Sequence, residues 1–326
     1  MITDLHSHYF PLDAIRQLPD APVQVTELGH GQYRLIANGH AFTLDRSLFD
    51  LDQQRADLRR QGLDARNLMP PPFTLLYELP PNDGVQWSRA LNDAMAAAAA
   101  AYPNELIGFA TVPLQDVPAA VEEARRAAHD LNLRGIEIAT SVNGVGLDDP
   151  GLDPFWEVCQ ALGLPILIHP HYVSGAERMG GYHLRNLIGN PTETALAGAR
   201  LLFGGVLERY PDLHIILSHG GGALPHLVGR LRHGYRVRPE CRERASAPIE
   251  HMSRLFYDTI VFDHVVLRHV AETVGTSQLV LGTDYPFDMS EDQPVAFIRG
   301  AGFSDEETSQ ILNAGDRLIK PASAHR

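Results

Sequence analysis

Five residues join a metal- or proton-binding side chain to a place just past a short apolar run: His6, His8, His169, His219 and Asp284. His6 and His8 follow the segment Ile2-Thr3-Asp4-Leu5, and alternation along an extended chain sets both imidazoles on one side. His169 follows Ile166-Leu167-Ile168, His219 follows Ile215-Ile216-Leu217-Ser218, and Asp284 follows Leu281-Gly282-Thr283. Neutral imidazoles and a carboxylate are the donors that zinc and similar divalent ions take. An ion with an open position activates water or polarises a carbonyl or carboxylate oxygen.

Such residues meet only if the chain brings several strand ends together. Period and punctuation predict strands at 2–5, 65–69, 106–112, 135–139, 165–168, 213–217, 255–258 and 278–281. Helices are predicted over 51–61, 87–102, 119–131, 154–162, 192–209, 223–232 and 265–274. Short apolar strands divided by helices imply a parallel sheet covered by helices, and eight such units close a (β/α)8 TIM barrel. No Gly-x-Gly-x-x-Gly follows any of the strands, which argues against an open dinucleotide-binding sheet. Three further β-rich pieces, 23–28, 33–37 and 40–44, are separated by Gly-His-Gly and Asn-Gly turns. They predict a small antiparallel β insertion at 21–45, after the first strand, within a single domain spanning 1–326.

In a barrel the C-terminal strand ends form the chemical mouth, so all five residues are expected there. Strand four ends Gly135-Ile136-Glu137-Ile138-Ala139 and offers no lysine to bridge two ions; Lys320 is the only lysine in the chain. One divalent ion is therefore expected, zinc first and Mn2+ as the alternative, held by His6, His8, His169 and Asp284. His219 is expected beside it as a proton-transfer or charge-stabilising group, an inner-ligand role remaining open, and Asp284 as its partner in proton movement.

With 326 residues, 44% of them hydrophobic, the chain can bury a large core. A formal charge of −13 excludes nucleic acid and anionic membrane as main partners and favours a small molecule. Cys159 and Cys241 are too few for a disulfide framework, no apolar run reaches membrane-spanning length, and a reducing cytoplasm is the expected location. Arg178, in the loop after His169, is placed to grip a substrate carboxylate bidentately. Phe73 and Phe287 are expected as apolar walls of the mouth.

The motifs His6-Ser-His8, Ile-Leu-Ile-His169-Pro170, Ser218-His219-Gly-Gly-Gly222 and Gly282-Thr-Asp284-Tyr-Pro-Phe287 resemble the amidohydrolase superfamily. More narrowly they resemble the branch that contains aminocarboxymuconate-semialdehyde decarboxylase, and the likeness runs over nearly the whole chain. The resemblance implies a mononuclear zinc barrel acting on an aromatic or dienoic carboxylic acid. It also implies a homodimer in which Arg230 crosses the interface to hold the substrate carboxylate. Where the semialdehyde decarboxylase carries an arginine in its N-terminal insertion this chain has Phe42, with Arg34 and Arg46 nearby. Non-oxidative decarboxylation is the leading expectation; hydrolysis or hydration by an activated water is the alternative.

Overall fold

The alternation of short apolar and amphipathic stretches resolves, in a computed structural model, into a ring of parallel strands wrapped by helices. The structure describes residues 1–18, 21–37 and 40–319, His40 by its backbone alone; the Asn38-Gly39 turn and Lys320 lie outside these residues.

The barrel strands are Thr3–Asp4, Ala65–Leu68, Leu106–Gly108 with Ala110–Thr111, Ile136–Ala139, Ile166–His169, Ile215–Leu217, Phe256–Asp258 and Leu279–Val280. Each pairs in parallel with the next, through registers such as Asp4 with Arg66, Ile166 with Ile136 and Tyr257 with Leu279. The first and eighth meet where the Leu5 N–H donates to Leu281 O at 2.9 Å and Ser7 bridges Tyr285. Alternation then sorts the side chains. Ile136, Ile138, Ile166, Ile168, Ile215 and Leu217 pack outward among the helices. Leu5, Met69, Phe109, Leu167, Ile216 and Val280 form a separate buried cluster inside the ring, floored by Ala314 and Leu318 of the C-terminal helix Ala314–Leu318. The lumen is a packed core, so chemistry is confined to its open upper end.

The insertion forms as predicted, a meander of Val23–Gly29, Gln32–Ala37 and His40–Asp45. Its buried face, Val23, Leu35 and Leu44, packs with Phe10, Phe73, Trp87 and Leu91. That packing carries Phe42 to the barrel mouth, where its ring stacks on Phe73 at 5.3 Å.

Four segments differ from their sequence-based prediction, the helix at 87–102 running instead over Pro81–Ala101. The strand at 106–112 is divided at Phe109, whose ring packs so tightly on Gly135 that a Cβ there would come within 2.5 Å. The helix at 192–209 begins earlier, in a π-helical turn Arg185–Gly189 running into helix Asn190–Phe203, and it breaks at Gly204-Gly205 before Val206–Arg209. The positive φ of Gly205, 70°, is left-handed and ends a right-handed helix. The helix at 223–232 is a tight turn Pro225–Leu227 followed by helix Val228–Val237.

Candidate metal centre

The first strand ends at Asp4, and a bend at His6 followed by the bridge of His8 to Met69 turns both imidazoles into the mouth. Their rings lie 5.2 Å apart and both residues are fully buried. His169 ends strand five and lies two residues beyond inward-facing Leu167, so it projects above the lumen core. His219 and Asp284 each occupy the left-handed region, with φ of 55° and 60°. That conformation costs a non-glycine residue roughly 1–2 kcal/mol, so neighbouring bonds must hold it. Asp258 does so for the first, accepting from His219 N at 2.9 Å and Gly220 N at 2.8 Å. Asp4 does so for the second, accepting from Thr283 N at 3.1 Å and Thr283 Oγ1 at 2.6 Å, while Asp284 N donates to His6 O at 2.8 Å. The glycines after His219 shape the turn into the next helix: a Cβ on Gly222 would stand 2.0 Å from Pro191 O.

All four histidines converge on one carboxylate. Asp284 Oδ1 lies 3.1 Å from His8 Nε2, 3.4 Å from His6 Nε2 and 3.9 Å from His169 Nε2; Oδ2 lies 3.4 Å from His219 Nε2. The ligand atoms of His6, His169, His219 and Asp284 all fall within 4.8 Å of one another. His8 stands outside that quartet but in contact with its carboxylate.

A divalent ion fits this donor set. Nε2 of His6 and of His169 are buried without a hydrogen-bond partner, although each faces the same oxygen. Their other nitrogens are engaged: His6 Nδ1 with Asp258 Oδ2 at 2.6 Å, and His169 Nδ1 with Pro170 O at 2.9 Å. A proton held at Nδ1 leaves the Nε2 lone pair for a metal. Burial opposes charge on His6, but the carboxylates of Asp258 and Asp284 outweigh it and push His6 up to about 10. Burial, reinforced by the neighbouring histidines, holds His169 well below its usual value, and burial lowers His8 as well. Burial raises Asp284, yet the imidazoles of His219 and His6 overcome it and hold the carboxyl well below the usual range.

Above this cluster opens a cavity of about 730 Å³, with His169 and Asp284 at its base and Phe42, Phe73 and Phe287 among its walls. Phe287 packs 5.2 Å from the His8 ring. Arg178 and Arg230 are both exposed, the first at the end of the turn Ala176–Arg178 and the second on helix Val228–Val237, and neither lines the cavity. Arg34 and Arg46 do not line it either, and Arg46 pairs with Asp50 at 2.8 Å. Three residues were not singled out from the sequence: Asp258, which supports two site histidines; Arg185, which lines the cavity; and Glu137. Glu137 is fully buried in strand four, aligned with Leu167, and neither of its carboxyl oxygens has a partner. A signal for Asp258 was its place at a strand end, the same signal that marked the histidines.

Residues 3–314 match the amidohydrolase family model. The chain belongs to the amidohydrolase family. Among its amidohydrolase relatives, 2-amino-3-carboxymuconate-6-semialdehyde decarboxylase of Dictyostelium discoideum is 32% identical, covering 97% of this chain and 90% of the relative. The barrel superposes on 5-carboxyvanillate decarboxylase from Sphingomonas paucimobilis with a TM-score of 0.81 at 24% identity, covering 98% of each chain. It superposes on a dihydroxybenzoic acid decarboxylase from Polaromonas, solved with bound manganese and 2-nitroresorcinol, with a TM-score of 0.79 at 22% identity, covering 97% of this chain and 96% of the other.

Proposed function

We propose that this amidohydrolase is a metal-dependent, non-oxidative decarboxylase of an aromatic or dienoic carboxylic acid. The observation that carries the reading is the convergence of His6, His8, His169 and His219 on Asp284 beneath a cavity walled by aromatic rings. The decarboxylase relative at 32% identity supports it.

His6, His8, His169 and Asp284 would hold a single divalent ion, zinc or, as in the Polaromonas structure, manganese. When bound, the ion supplies Lewis-acid polarisation of a substrate oxygen. Phe42, Phe73 and Phe287 offer a planar acid apolar walls and limit water around the reacting carbon. His219 Nε2 and Asp284 Oδ2, 3.4 Å apart, carry the proton between them. The carbon–carboxylate bond breaks, its electron pair stays on the carbon, and the proton from this pair joins that carbon as carbon dioxide leaves. Arg178 and Arg230 stand on the surface of one chain, and Arg230 serves the site from a second copy in a homodimer.

Chelator-treated protein reloaded with zinc or manganese and given a panel of hydroxybenzoates and muconate-like acids tests this. Carbon dioxide release that is lost on chelation and regained on reloading supports the reading. Water addition or bond cleavage with the carboxylate retained would replace it with hydration or hydrolysis.

A further inference from the structure

Among the described residues of one chain, the strongly basic side chain lining the cavity comes from an unusual piece of backbone. Asp45, Asp284 and Asp288 line the space, and Arg185 is the arginine that faces them. With the base given to the ion of the proposed function, an anion still meets Asp45 and Asp288 along the cavity, and a cation lining the same space favours its admission.

Arg185 is fixed. It opens the π-helical turn Arg185–Gly189, which continues into helix Asn190–Phe203. π-Turns inside helices recur at functional sites because they displace one side chain from the regular face. Gly189 packs this turn onto the loop after strand five: a Cβ there would come within 2.5 Å of Val173 Cγ1. Glu193, buried in the same helix, accepts from Ser174 N at 2.7 Å and ties the loop down a second time. Arg185 Nη2 itself donates to His171 O in that loop at 3.3 Å. Among the described residues the guanidinium makes no ion pair, so a planar fork of N–H donors remains for a ligand.

We propose that Arg185 binds a second acidic group on the substrate, away from the carboxylate that reacts, and so selects diacids over monoacids. This inference rests on the decarboxylase reading, which places the reacting carboxylate at the His169 and Asp284 end of the cavity. A carboxylate received bidentately by Arg185 spans the rest of it. The substrate class is a planar aromatic or dienoic dicarboxylate.

Calorimetric titration of the zinc-loaded protein with benzoate, isophthalate and terephthalate reads this selection without turnover. One of the two diacids is expected to bind roughly tenfold or more tighter than benzoate, as a charge-assisted hydrogen-bond pair implies. Arg185→Gln is expected to reduce that preference to within about twofold, and Arg185→Lys, which keeps the charge and loses the fork, to fall between. Arg185 is exposed, so neither variant disturbs the core. Equal affinities in the unaltered protein, or a preference that survives Arg185→Gln, would overturn this inference and leave the decarboxylase reading standing. Failure of all three acids to bind would remove the carboxylate-binding reading of the cavity together with it.

Discussion

His6 Nδ1 and Asp258 Oδ2 lie 2.6 Å apart, both side chains fully buried, although the residues are 252 positions apart in the chain. Asp258 fixes the imidazole so that Nε2 faces Asp284. The same carboxylate also holds the backbone of His219 and Gly220. One buried acid therefore orients two of the histidines at the site.

Asp258→Asn keeps the shape of the side chain and removes its charge. A tenfold to hundredfold loss of metal affinity is expected, the range for an outer carboxylate that orients a ligating histidine. Competition with a chromophoric chelator measures it; an unchanged affinity would show that Asp258 serves folding alone.

Metal uptake should release close to one proton at neutral pH. In the metal-free protein His6 retains its extra proton up to about 10, burial being outweighed by Asp258 and Asp284. Burial keeps His8 and His169 neutral, and Asp284 is already ionised. A neutral imidazole is what the ion takes, so apparent affinity rises about tenfold per pH unit until His6 deprotonates. Calorimetry in buffers of differing ionisation enthalpy counts the proton; a count of zero would contradict the bonding around His6.

Glu137 gives the opposite kind of pH effect. Burial holds its carboxyl well above the usual range, with the His6 charge pulling it down and Asp284 pushing it up. The folded protein keeps Glu137 protonated where the unfolded chain ionises it. Its contribution is thus full below the ordinary glutamate pKa and is lost as pH rises toward the folded value. Glu137→Gln removes the ionisation, so the metal-free variant should melt higher at pH 8 than the unaltered protein, on the order of 2–4 °C per kcal/mol recovered. The gain should shrink toward pH 5. A gain independent of pH would contradict it.

Asp284→Asn should remove turnover while leaving the fold intact. The variant loses the carboxylate charge and the partner of His219, and general acid–base loss alone is worth about 10²–10⁴-fold. Far-ultraviolet circular dichroism unchanged beside a rate reduced by more than that factor is the expected pair of results.

The barrel and the convergence of His6, His8, His169, His219 and Asp284 were legible because each histidine or aspartate ends an apolar run, and parallel strands gather such ends at one rim. The meander was legible from its turns. Asp258 also ends a strand, Phe256–Asp258, but its value lies in a partner 252 residues away that no local pattern names. Arg185 was hidden inside what reads as the approach to a helix, since a π-turn leaves no hydrophobic period of its own. Arg178 was singled out by its loop, yet the turn Ala176–Arg178 places it in solvent. The break at Gly204-Gly205 was missed because apolar residues continue on both sides of it.

The central claim is best tested by carbon-13 and deuterium NMR on the zinc-loaded protein in deuterium oxide, with carboxyl-labelled aromatic and dienoic diacids. The account predicts labelled carbon dioxide or bicarbonate, together with one deuteron on the carbon that lost the carboxylate. Turnover that leaves the label in a hydrated or cleaved product would contradict it.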